Sequence, residues 1–121
     1  MAKRYVLVNE IKPERLNDYI AAHERMHESE WKEQLDVLRK AGAKACDSYV
    51  FKNYAILVYE CDDIDDSFAK LGQDPRRRAW EDFTQPMFAT SPKFDGSEKV
   101  AGLRKIFDLN AQMDRGVIDQ Y

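Results

Sequence analysis

The apolar positions of this chain change period along its length, and each period predicts an element. Tyr5 to Ile11 (YVLVNEI) is β-branched and aromatic, stops at Lys12-Pro13, and reads as a first strand. Pro13 suits a first helical turn, where its missing N–H costs nothing. From Leu16 the pattern continues through Ile20, His23, His27, Trp31, Leu35 and Leu38 at spacings of three and four, which predicts one long amphipathic helix ending near Gly42. CDSYVF and YAILVYE flank Lys52-Asn53 and read as an antiparallel hairpin. The acidic run Asp62-Asp63-Ile64-Asp65-Asp66 caps a short helix through Leu71, and Asp74-Pro75 opens another that carries Arg76, Arg77, Arg78, Trp80 and Phe83. A loop, SPKFDGSE, precedes a last predicted strand, GLRKIFDL. Residues 1–109 thus read as one domain, and 110–121 as a polar C-terminal tail to which the pattern assigns no firm structure.

The order strand, helix, strand, strand, helix, strand predicts an α+β fold: a ferredoxin-like α/β sandwich whose antiparallel sheet is covered by helices on one face. The uncovered face calls for a second copy, so a homodimer stacked through its sheets, a dimeric α/β-barrel type of assembly, is expected.

Composition narrows the class. The chain has 121 residues, 44% of them hydrophobic, enough for one modest core and too few for two. Its 19 basic and 22 acidic residues are interspersed and sum to −3, which argues against nucleic acid or an anionic membrane as partner. With no apolar run of spanning length and an N-terminus that turns polar early, a cytoplasmic protein is expected. Cys46 and Cys61 have neither disulfide-framework nor zinc spacing, so both are expected as thiols.

The candidate chemistry lies in YIAAHERMHESEW. On the predicted helix Tyr19, His23, His27 and Trp31 stand four apart and form a ladder along one stripe. Three readings compete. His23-Glu24-Arg25-Met26-His27 matches the H-E-x-x-H signature of zinc hydrolases, with Glu24 as the general base. It lacks a third ligand, since Glu30 and Glu33 stand where the extended form of the motif has Gly and His. Taken singly, each ladder residue is ordinary core or edge, as in a non-catalytic dimeric binding module. The clustering of the only two histidines with two aromatics favours instead a pocket for a small polar ligand, where imidazole serves as acid and base near neutral pH. The arginine run reads as a solvated face or a dimer salt-bridge patch, and Trp80 as core or as a platform for a sugar.

The chain also resembles the L-rhamnose mutarotase family of small dimeric α/β proteins, over Arg4 to Leu109. The marks are Pro13 followed by Tyr19-x-x-x-His23, Trp31, the helix end Leu38 to Ala43 (LRKAGA), the hairpin, Arg78-Ala79-Trp80 with Met87, and the strand-like Arg104 to Leu109. Order and spacing carry the likeness. The resemblance implies an isomerase that interconverts the anomers of a 6-deoxy sugar, with no cofactor and no metal. It implies His23 as the acid-base residue and Tyr19 and Trp80 as sugar-binding residues. His23 and Trp31 are eight apart where the family has four, as if a helical turn were inserted, so His27 is the alternative counterpart. The first of the family's paired tryptophans is Ala79 here, and a family sugar-binding tyrosine falls near Cys46, with Tyr49 as a substitute. L-fucose therefore stands beside L-rhamnose as a substrate. The site expected is His23 and His27 as catalytic residues, with Tyr19, Trp31, Tyr49 and Trp80 binding a monosaccharide.

Overall fold

A computed structural model describes residues 2–89 and 103–114. Among these, three antiparallel strands form one sheet in the order β1-β3-β2, with β1 at Lys3–Glu10, β2 at Ala45–Phe51 and β3 at Tyr54–Cys61. Among the described residues five α-helices accompany them: α1 (Leu16–Glu24), α2 (Gln34–Lys40), α3 (Ile64–Gln73), α4 (Pro75–Thr84) and α5 (Leu109–Asp114). The fold is α+β, as the element order predicts.

Strand alternation sorts the sheet into two faces. Tyr5, Leu7, Tyr59 and Cys61 point to the helices and join Val37, Phe68 and Leu71 in the main core. The opposite face aligns Val8, Ile56 and Tyr49 in one row and Tyr54 and Phe51 in another. Tyr49 and Phe51 are 57% and 61% exposed there, so the chain leaves an apolar sheet face open to solvent.

Local signals set the element ends. Lys52, at φ 55°, makes the hairpin turn, and Asn53 locks that turn to the end of β1 by donating to the Ile11 carbonyl at 2.9 Å. Asp63 caps α3 by accepting from the Asp66 amide, and Asp74 caps α4 by accepting from Arg76. α2 ends in a Schellman motif: Ala43 donates to the Leu38 carbonyl, Gly42 to that of Arg39, and Gly42 takes φ 96°.

Two expectations are corrected. The long helix expected from Leu16 to near Gly42 is broken: α1 stops at Glu24, Met26–Glu28 forms a 3₁₀ turn, and α2 starts only at Gln34. Ser29 accounts for the exit. Its hydroxyl donates to the Met26 carbonyl and accepts from the Trp31 amide, and its backbone is extended, so side-chain bonds replace the helical ladder. The predicted last strand is absent too. Residues 103–108 are irregular chain, with a backbone bond from Leu103 N–H to the Val6 carbonyl, and α5 begins at the edge of the predicted tail. Residues 90–102, which hold the whole of the predicted Pro-Ser-Gly loop, and the tail beyond Asp114 lie outside the described residues.

Candidate active site

A cavity opens between the helix-covered face of the sheet, α1 and α4. β1 contributes Asn9, β2 contributes Cys46 and Ser48, and β3 contributes Ala55, Leu57 and Tyr59. Tyr19 and His23 line it from α1, and Arg77, Trp80, Glu81 and Thr84 from α4. The wall mixes apolar surface with convergent polar groups, the usual make-up of a small-molecule site.

His23 is the best-defined of these groups. Its Nδ1 lies 2.7 Å from the Tyr19 carbonyl oxygen. A carbonyl can only accept, so Nδ1 carries the hydrogen and Nε2 carries the lone pair. The ring is held between Tyr19, at 4.3 Å between centroids, and the edge of Trp80, at 5.1 Å. Desolvation lowers its pKa below the ordinary histidine value; the bond to Tyr19 opposes this and the nearby Arg77 charge adds to it. His23 is therefore a neutral base at pH 7. Burial pushes the Tyr19 phenol up to about 12, so it keeps its proton and remains a hydrogen-bond donor.

The other expected residues fall in different places. Trp80 is buried at the cavity wall, and Trp31 packs behind it at 5.5 Å, itself stacked on Phe83 at 4.9 Å. Trp31 does not line the cavity. His27 sits on the turn beyond α1, its side chain 65% exposed and its Nε2 3.4 Å from Glu28. The ladder of four is thus split: Tyr19 and His23 remain neighbours, whereas His27 has left the stripe. Tyr49 lies in the row of Val8 and Ile56 on the open face, opposite the cavity. Cys46, three residues earlier, faces the cavity instead, as strand alternation requires.

The break after Glu24 also removes the helical frame on which an H-E-x-x-H site depends. Among the described residues no group of three His, Cys, Asp or Glu side chains is placed to hold a metal ion.

Sequence reasoning missed Arg77 and Glu81. Nε of Arg77 donates to Oε1 of Glu81 at 2.9 Å, and both side chains are largely withdrawn from water. Arg77 therefore does not belong to a solvated face. Arg76, beside it, does pair outward with Asp36 and Asp74. The available signal was position: Arg77 stands three before Trp80, so a buried Trp80 draws it inward, and Glu81 stands four after Arg77, where it can pair with it.

A family model described as L-rhamnose mutarotase matches residues 4–109. Among solved structures, an L-rhamnose mutarotase from Formosa agariphila shares the fold, with a TM-score of 0.64 at 16% sequence identity, covering 88% of this chain and 97% of that one. No curated protein sequence matches the chain.

Proposed function

The chain belongs to the L-rhamnose mutarotase family, isomerases acting on carbohydrates, and from that premise we propose that it interconverts the α and β anomers of L-rhamnose or a related 6-deoxy sugar such as L-fucose, with His23 as acid and base. The observation that carries the reading is the fixed tautomer of a neutral, half-buried histidine in a cavity shared with Tyr19 and Trp80.

The proton balance closes on one imidazole. Nε2 takes the proton of the anomeric hydroxyl as the bond between C1 and the ring oxygen breaks, and the imidazolium returns it to that ring oxygen. The open-chain aldehyde turns about C1–C2. The reverse transfer closes the ring on the other face of C1 and regenerates neutral His23. The Nδ1 hydrogen bond holds the ring throughout. Tyr19 donates to a sugar hydroxyl, and Trp80, braced by Trp31, offers an apolar face to the ring and its methyl group. Mutarotation already proceeds in water, so an acceleration of about 10²- to 10⁴-fold from a positioned acid-base group is sufficient.

The exposed residues Tyr49, Phe51 and Tyr54 support a homodimer stacked through the open sheet face. No helix among the described residues is long and apolar enough to cross a membrane, and a cytoplasmic site of action is part of the proposal.

The test is NMR saturation transfer between the anomeric protons of L-rhamnose, L-fucose and several aldoses, with chelator-treated protein. Accelerated exchange of a 6-deoxy sugar is the expected result. Exchange at the uncatalysed rate for every sugar overturns the proposal.

A further inference from the structure

The stripe that α4 turns toward the cavity is Arg77, Trp80, Glu81 and Thr84, at spacings of three and four. An inward helix stripe is ordinarily apolar. Here it carries an ion pair whose side chains are only 15% and 21% exposed. The pair is braced from behind: Nη1 of Arg77 reaches Oε1 of Gln34 at 3.4 Å, and Gln34, 2% exposed, donates its own Nε2 to the Arg76 carbonyl at 2.9 Å. Withdrawing two charges from water gives little or no net stability, and an apolar pair of similar volume serves folding as well or better. The location of the pair on a cavity wall therefore asks for a ligand.

The neighbouring polar groups narrow its chemistry. Thr84 bonds to the Trp80 carbonyl, and Tyr59 shares a 2.6 Å bond with Ser67, so both hydroxyls are engaged within the protein. Arg77 and Glu81 set a guanidinium donor beside a carboxylate acceptor, with no net charge between them. That combination suits a neutral ligand with two adjacent hydroxyls, one donating to the carboxylate and the next accepting from the guanidinium. It leaves Trp80, Ala55, Leu57 and Phe88 for the apolar side of the ligand.

We propose that Arg77 and Glu81 together form the hydroxyl-reading element of the sugar site, binding two adjacent ring hydroxyls and so selecting the sugar. The inference rests on the mutarotase reading and deepens it. These are binding residues; the proton transfers belong to His23.

The test pairs substrate and enzyme changes. Anomer exchange is measured for L-rhamnose and its 2-deoxy, 3-deoxy and 4-deoxy derivatives, with the wild-type protein and with Glu81→Gln. On the wild type, two adjacent positions are sensitive, and loss of either hydroxyl raises KM about tenfold or more, as for losing a hydrogen bond to a charged group. Glu81→Gln raises KM for L-rhamnose by a similar factor, more than it lowers kcat. It adds little for the derivative that already lacks the hydroxyl read by Glu81. Arg77→Lys, which keeps the charge and removes the planar fork, gives the same coupling at the adjacent position and serves if Glu81→Gln does not fold. Effects that multiply independently at every position, or unchanged KM values, overturn the inference while leaving the mutarotase reading in place. A wild-type protein that exchanges none of these sugars overturns both.

Discussion

Replacing the Arg77–Glu81 pair by apolar side chains separates what it does for folding from what it does for binding. In Glu81→Leu the guanidinium stays in a site where its side chain is 15% exposed and loses its 2.9 Å partner. Removing one member of a fully buried pair costs about 3–5 kcal/mol. The residual exposure here lowers that to about 2–3 kcal/mol. Arg77→Met costs a similar amount, because it takes the 2.9 Å ion-pair partner from the carboxylate and the donor at 3.4 Å from Gln34 Oε1. The double variant leaves neither member of the pair facing the other's absence and is expected within about 1 kcal/mol of the wild type, a coupling of about 3 kcal/mol or more between the two sites. Urea unfolding followed by the fluorescence of Trp31 and Trp80 measures it. With a slope of about 2 kcal/mol per molar urea, each single change moves the midpoint down by about 1 M, and the double change largely restores it. All variants are compared at one protein concentration, since self-association shifts the midpoint by mass action. A double variant destabilised by the sum of the single losses, about 4–6 kcal/mol, refutes the argument that folding alone does not require the pair.

Three further outcomes follow from the same structure. Because the folded pKa of His23 lies below its unfolded value of about 6.5, the unfolded chain binds the proton more readily. His23 therefore withdraws stability as pH falls through about 6.5, until its folded pKa is passed, and the exchange rate holds its plateau to below that pH. His23→Gln unfolding curves between pH 8 and pH 5 should lack this slope, and a rate that declines already above pH 7 contradicts it. Gly42→Ala should cost about 1–2 kcal/mol in urea unfolding: no heavy atom lies within 4 Å of the added Cβ, so the loss comes from the backbone at φ 96°. A neutral substitution would show that the α2 cap relaxes freely. Tyr49→Lys places a charge on the open sheet face and should shift sedimentation toward the monomer; an unchanged profile removes that face from the interface.

β1, the β2–β3 hairpin and two of the helices were legible because their signals are local. The turn at Lys52-Asn53, the caps at Asp63 and Asp74, and Pro75 at a helix start each act within a few residues, and the structure uses them as read. The spacings of three and four that predict one long helix continue through His27 and Trp31, whereas α1 ends at Glu24 and two side-chain bonds of Ser29 turn the chain out of the 3₁₀ turn between His27 and Trp31. Periodicity reports which residues prefer one side; it does not report a single side chain that competes for the backbone. The last strand was misread because GLRKIFDL has strand composition, but the one described backbone bond to β1, from Leu103, does not make a ladder.

Legibility of the site followed the same division. Tyr19, His23 and their closeness were readable from one helical turn, and the structure keeps that turn. Tyr49 and Cys46 differ by strand parity, which a small error of register reverses. Arg77 and Glu81 were passed over because charged residues are usually solvated, and only packing against the cavity shows them withdrawn from water.

The most direct measurement of the central claim is the anomer-exchange rate of the best sugar with wild-type protein, His23→Ala and His27→Ala side by side, each confirmed folded by circular dichroism. Loss of the acceleration in His23→Ala, with His27→Ala close to wild type, is the predicted result. Retention of the acceleration in His23→Ala, with its loss in His27→Ala, would contradict the account and move the chemistry out of the cavity.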